Sequence, residues 1–161
     1  MPEVKMNPEL RGAARLAAVQ ALYQMELSGQ GAAAVIRQFR DHAFGYDGEE
    51  GFVAADEELF EDLVRGVIDN QEAIDAAITA RLSEKWKLSR LDVTLRALLR
   101  AATSEMMSRF DVPAKVVIDQ YVTIAMDFYD GGEPKFVNAA LDRLARELRA
   151  HEFSAPKAPK D

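Results

Sequence analysis

The chain has 161 residues, 48% of them hydrophobic, which suffices for one domain with a buried core. It contains no cysteine, which excludes disulfides, thiolate metal sites and a cysteine nucleophile and fits a reducing, cytoplasmic setting. Its net charge of −7 argues against a general nucleic-acid binder, because phosphate contacts need cations.

Residues 1–8 read as a short polar arm, without the uninterrupted apolar stretch of a secretory signal. A helix is expected from about Pro8 to Ser28, stopped by Gly29 and Gly31. Leu10, Ala14, Ala17, Ala18, Ala21, Leu22 and Met25 make one broad apolar face, and Leu16, Val19, Tyr23 and Leu27 make a second. Arg11 and Arg15, spaced i,i+4, fall between the two with Glu26. This predicts a central helix whose exposed strip is narrow and cationic in its N-terminal part. A second helix is expected over about Ala32 to Phe44, followed by a loop from Gly45 to Gly51. From Asp41 to Asp62 the chain holds nine acids and no Lys or Arg, a segment expected to be a solvated acidic surface. Within it Asp56 is a good N-cap for a third helix carrying Leu59, Leu63, Val67 and Ile68. After a break near Asp69-Asn70 the helical pattern resumes at Ile74, Ala77, Ile78 and Leu82.

Ser83 to Ser89, with the single tryptophan Trp86, is expected to form a turn packed on the core. Ser89 and Asp92 have capping-box spacing and open the clearest helix, striped by Leu91, Leu95, Leu98, Leu99, Ala102 and Met106, with Arg96 and Arg100 on its other side. Pro113 suits the first position of the next helix, whose stripe is Val117, Tyr121, Ile124, Ala125 and Phe128. Gly131-Gly132 turns the chain into a last helix opened by Pro134, with Val137, Ala140, Leu141, Leu144 and Leu148 facing inward. Residues 135–149 carry four cations against two acids. The expectation is an all-α, compact bundle of six or seven helices over residues 1–150, then a disordered polar tail over 151–161. No apolar run approaches the roughly 20 residues needed to span a bilayer.

No catalytic pattern stands out. His42 and His151 are the only histidines, and neither has a spaced second ligand, so no metal is expected. The glycine clusters match neither a P-loop nor a dinucleotide fingerprint, and the serines lie outside any nucleophile elbow. The expectation is a protein without enzymatic activity or cofactor.

Three segments resemble the NusB family of transcription antitermination factors over roughly residues 10–149. They are Arg11-Gly-Ala-Ala-Arg15 followed by Ala18 to Tyr23, then Leu98 to Glu105 with Asp111 to Val122, and finally Lys135-Phe-Val-Asn138 with Leu141-Asp142. The resemblance implies two packed three-helix subdomains that bind the boxA segment of nascent ribosomal RNA. The implied partners are NusE, a small-subunit ribosomal protein, and the RNA polymerase antitermination complex. Arg11, Arg15, Lys135 and Phe136 match RNA-contacting positions, while Arg96 and Arg100, with Leu95 before them, lie on the helix that helps dock NusE. Tyr23 reads equally well as a stacking residue or a core aromatic, and Asn138 as a buried hydrogen-bonding residue. Two departures stand out: Gly12 and Ala13 interrupt the arginine run, and Leu95 replaces an acidic residue. They imply weak RNA binding alone and reliance on NusE. A helical adaptor or homodimer without RNA specificity is the alternative.

Overall fold

A computed structural model of the chain describes residues 8–44, 54–82 and 86–153. Seven α-helices run through these residues: α1 (Pro8–Ser28), α2 (Ala32–Gln38), α3 (Glu57–Asp69), α4 (Gln71–Arg81), α5 (Val93–Ser108), α6 (Ala114–Phe128) and α7 (Glu133–Leu148). None is long and apolar enough to cross a membrane.

Local chemistry sets most boundaries. Gly29 ends α1 with φ +77°, and its N–H donates to the Met25 carbonyl at 2.9 Å. Asp56 caps α3 by accepting from the Leu59 N–H at 3.0 Å, and Asp92 caps α5 by accepting from Leu95 at 2.9 Å. Each such cap contributes about 1 kcal/mol. Asp92 alone does this; Ser89 lies one turn earlier, in a 3-10 turn (Leu88–Arg90), so the capping box is not formed. Pro113 is the N-cap of α6 rather than its first residue. The second helix widens into a π turn (Phe39–Ala43), where the Phe44 N–H reaches the Phe39 carbonyl at 2.8 Å. That wider turn brings Phe39 and Phe44 onto Phe60, with ring centroids 5.3 and 5.2 Å away.

Helix α5 is the hub. It packs on α1 and α3 on one side and on α6, α7 and α4 on the other. It is buried almost all round, down to Thr103, Ser104 and Glu105. Its stripe from Leu91 to Met106 lies in the core as the periodicity predicts. Ile68 and Phe128, expected in the stripes of α3 and α6, are turned outward instead. The chain does not leave the fold after Arg149. A 3-10 turn (Ala150–Glu152) folds back, and Glu152 accepts from the Ala114 N–H at 2.8 Å, capping α6. Residues 1–7, 45–53, 83–85 and 154–161, where a polar arm, a loop, part of a turn and a polar tail are expected, lie outside the described residues.

Candidate nucleic-acid and partner interface

The cationic strip of α1 faces inward. Arg15 is 2% exposed and forms a fork with Glu105 of α5: Nη2 to Oε2 at 2.7 Å and Nε to Oε1 at 3.0 Å. Nη1 donates to Gln120 at 3.3 Å, and the buried Tyr121 hydroxyl donates to Glu105 at 3.0 Å. Burial would lower the Arg15 pKa, but the hydrogen bonds and charge of Glu105 outweigh it and hold the guanidinium above its ordinary value. Burial and the same carboxylate push the Tyr121 phenol well up. Arg15 is therefore corrected from a solvent-facing cation to a core residue whose donors are spent internally. Arg11, one turn earlier, is half-buried between Asp111 at 3.1 Å and Asp56 at 3.8 Å.

The second apolar strip of α1 is split: Val19 is buried and Leu16 packs on the core, whereas Tyr23 is 40% and Leu27 60% exposed. Between the strips, near the other end of α1, Glu26 pairs with Arg96 and Arg100 of α5. Arg100 also forks onto Asp75 of α4, at 2.8 and 3.0 Å. Arg96 further donates to the Leu91 carbonyl. These four charged groups, with Lys87 and Trp86, line a groove of about 760 Å³. Leu95 is 3% exposed and lies in the core, so it is removed from the candidate partner contacts.

Lys135 and Phe136 occupy the first turn of α7. Lys135 is exposed, and no hydrogen bond or ion pair engages it among the described residues. Phe136 is half-buried against Trp86, with ring centroids 4.5 Å apart and planes at 32°. Trp86 is 42% exposed, not packed into the core as expected. Asn138 is exposed rather than buried. The Tyr129 hydroxyl, just before this turn, donates to Asp92 at 2.8 Å, which ties the α6–α7 turn to the start of α5. Arg15 instead sits beside Glu105. From Asp92 to Glu105 is 13 residues, about 20 Å along a helix axis. The two cation-bearing patches therefore do not meet at one point; they mark opposite ends of α5.

The NusB family model matches residues 12–146. The chain belongs to the NusB family. It is 58% identical over 145 residues to the transcription antitermination protein NusB of Maricaulis maris, covering 89% of this chain and 91% of that one. The Caulobacter vibrioides NusB is 56% identical over 140 residues, covering 86% and 94%. The solved NusB of T. maritima superposes with a TM-score of 0.72 at 32% identity, over 90% of this chain and 97% of that one. The NusB family consists of transcription antitermination proteins, not enzymes.

Within this NusB fold, three features escaped the sequence reading. The first is Arg149, which is fully buried and donates to the carbonyls of Met106, Arg109 and Val112 at 2.8, 3.0 and 2.9 Å. It holds the end of α5 and the following loop, and no periodicity marks such a role. The second is the acidic segment. Its described acids are largely internal partners: Asp56 for Arg11, Glu57 and Glu61 for Arg40, and Asp62 for Arg109. The third is Trp86 beside Phe136; the sequence signal was present in a lone tryptophan flanked by Lys85 and Lys87.

Proposed function

We propose that this NusB-family chain binds the boxA segment of nascent ribosomal RNA together with NusE and joins the RNA polymerase antitermination complex. The observation that carries the reading is the uncommitted Lys135 beside Phe136, at the open N-terminus of α7. A cation for phosphate next to an aromatic ring for stacking is the chemistry that single-stranded RNA requires. Tyr23, 40% exposed on α1, is a second aromatic available for stacking, and Arg11, beside Asp111, is the candidate RNA cation near the other end of α5. Arg96 and Arg100 in the groove are the candidate NusE contacts. Arg11, Arg96 and Arg100 all pair with carboxylates and the net charge is −7, so affinity for RNA alone is weak and a basic partner supplies the missing cations.

Gel-shift titration of boxA RNA against a scrambled RNA, with and without NusE and across salt, tests this. The expected result is weak binding alone and cooperative, boxA-selective binding with NusE. Equal affinity for scrambled RNA in the presence of NusE would leave only a helical protein adaptor.

A further inference from the structure

We infer that Trp86 is a base-stacking subsite for one unpaired RNA nucleotide, reached from the Lys135–Phe136 turn and opening into the groove above Arg96 and Arg100. The inference rests on the RNA-binding reading and adds a contact to it.

Four observations carry it. The indole is 42% exposed although it already packs against Phe136, so the pair leaves a substantial π-surface in solvent. The same ring lines the groove of about 760 Å³, a volume within the roughly 300–1,000 Å³ of small-ligand sites. Lys87 follows Trp86 and Lys135 precedes Phe136 in the chain, and both are exposed, so each ring has a cation for phosphate next to it in sequence. In the same groove Glu26 and Asp75 hold Arg96 and Arg100 in place, so the lining that Trp86 joins presents oriented guanidinium groups.

The segment after Trp86 has anchors of its own. Leu88 and Leu91 are buried there, and Arg96 donates to the Leu91 carbonyl. The surroundings also favour a nucleotide over a protein side chain. An aromatic face among cations and paired carboxylates matches an unstacked base with its phosphates.

Trp86 is the only tryptophan, so emission excited at the red edge, where the four tyrosines do not absorb, reports this ring alone. Titration with a single-stranded boxA oligoribonucleotide, with NusE (ribosomal protein) present and the NusE emission subtracted, is expected to quench that emission along the isotherm measured independently by RNA anisotropy. Trp86→Ala is expected to weaken RNA binding by about 5- to 150-fold, the span of base–aromatic stacking lost on alanine substitution, and Trp86→Phe by less than about 3-fold. Lys87→Ala is expected to make the salt dependence shallower by about 0.7 in log–log slope. Circular dichroism of Trp86→Ala checks its helicity; should that variant unfold, the wild-type quenching and Trp86→Phe decide. Emission unchanged at saturating RNA, or RNA affinity of a folded Trp86→Ala equal to wild type, overturns the subsite. Loss of NusE affinity with RNA affinity intact makes Trp86 a protein contact instead and also overturns it. Failure of wild type to bind RNA at all, even with NusE, sinks the RNA reading itself, a result distinct from failure at Trp86 alone.

Discussion

The two ends of α5 carry similar residue types and use them in opposite ways. At the C-terminal end, arginine, glutamine and tyrosine close around Glu105 away from water, and every strong donor is spent inside the fold. At the N-terminal end, Lys135, Lys87 and Trp86 face solvent, and the arginines behind them are steadied by carboxylates at the wall of a groove. A cation near an aromatic is a recognition feature only where no internal acid has claimed it. Burial turns the same pair into a structural tie, because a charge taken from water must be matched or it costs several kcal/mol.

The largest contrast is expected in stability. Arg15→Ala leaves Glu105 buried without its ion pair and should cost about 3–5 kcal/mol, read as a lower denaturation midpoint in chemical unfolding. A folded Arg15→Ala protein of near-wild-type stability that loses RNA binding would reverse the assignment of that end. Next comes the close approach of α3 to α5 beside this cluster. A Cβ on Gly66 would run into the Ser104 hydroxyl, so Gly66→Ala should cost about 1–3 kcal/mol by overpacking. Gly66→Ala combined with Ser104→Ala, which removes only the clashing hydroxyl, should recover most of that loss.

At the other end the effect is expected in binding and not in folding. Lys135→Ala should change stability by less than about 0.5 kcal/mol, as for an uncommitted surface residue. It should still weaken RNA binding and make the salt dependence shallower by about 0.7 in log–log slope. Parallel unfolding and anisotropy measurements separate the two quantities.

The smallest effect concerns acid. Burial raises the Asp111 pKa, but hydrogen bonds from Arg109 and Arg11 outweigh it and hold the carboxyl below its ordinary value. The Ala114 N–H and Arg149 likewise lower Glu152. Depressed folded-state values mean that these contributions are complete above the ordinary carboxylate range, and are lost as pH falls through about 4 and below. Thermal midpoints should therefore drop with acidification, and Asp111→Asn should flatten part of that drop.

The helices themselves were legible because their causes are local. The leucine stripe of α5, the caps Asp56 and Asp92, and the glycine stop at Gly29 act within one or two turns, so a linear reading recovers them. Lys135 and Phe136 were legible as a pair for the same reason, although nothing in the strip 133–138 revealed that Trp86 would lie against Phe136. The error at α1 had a definite origin. Its two apolar strips and the polar gap between them are visible in the sequence, but how much of each is buried depends on what the neighbouring helices present: Arg15 goes in with Ala18 and Val19, while Tyr23 and Leu27 stay out.

Helix positions, their ends and the apolar stripes of α5 and α7 thus follow from the order of residues alone, since hydrogen bonding and periodicity operate over three or four positions. Which charges are spent and which remain for a ligand was settled only by folding. Arg15 finds Glu105 across 90 residues and Arg149 finds the carbonyls of Met106 and Val112 across about 40, and such long-range pairing leaves no local trace in the chain.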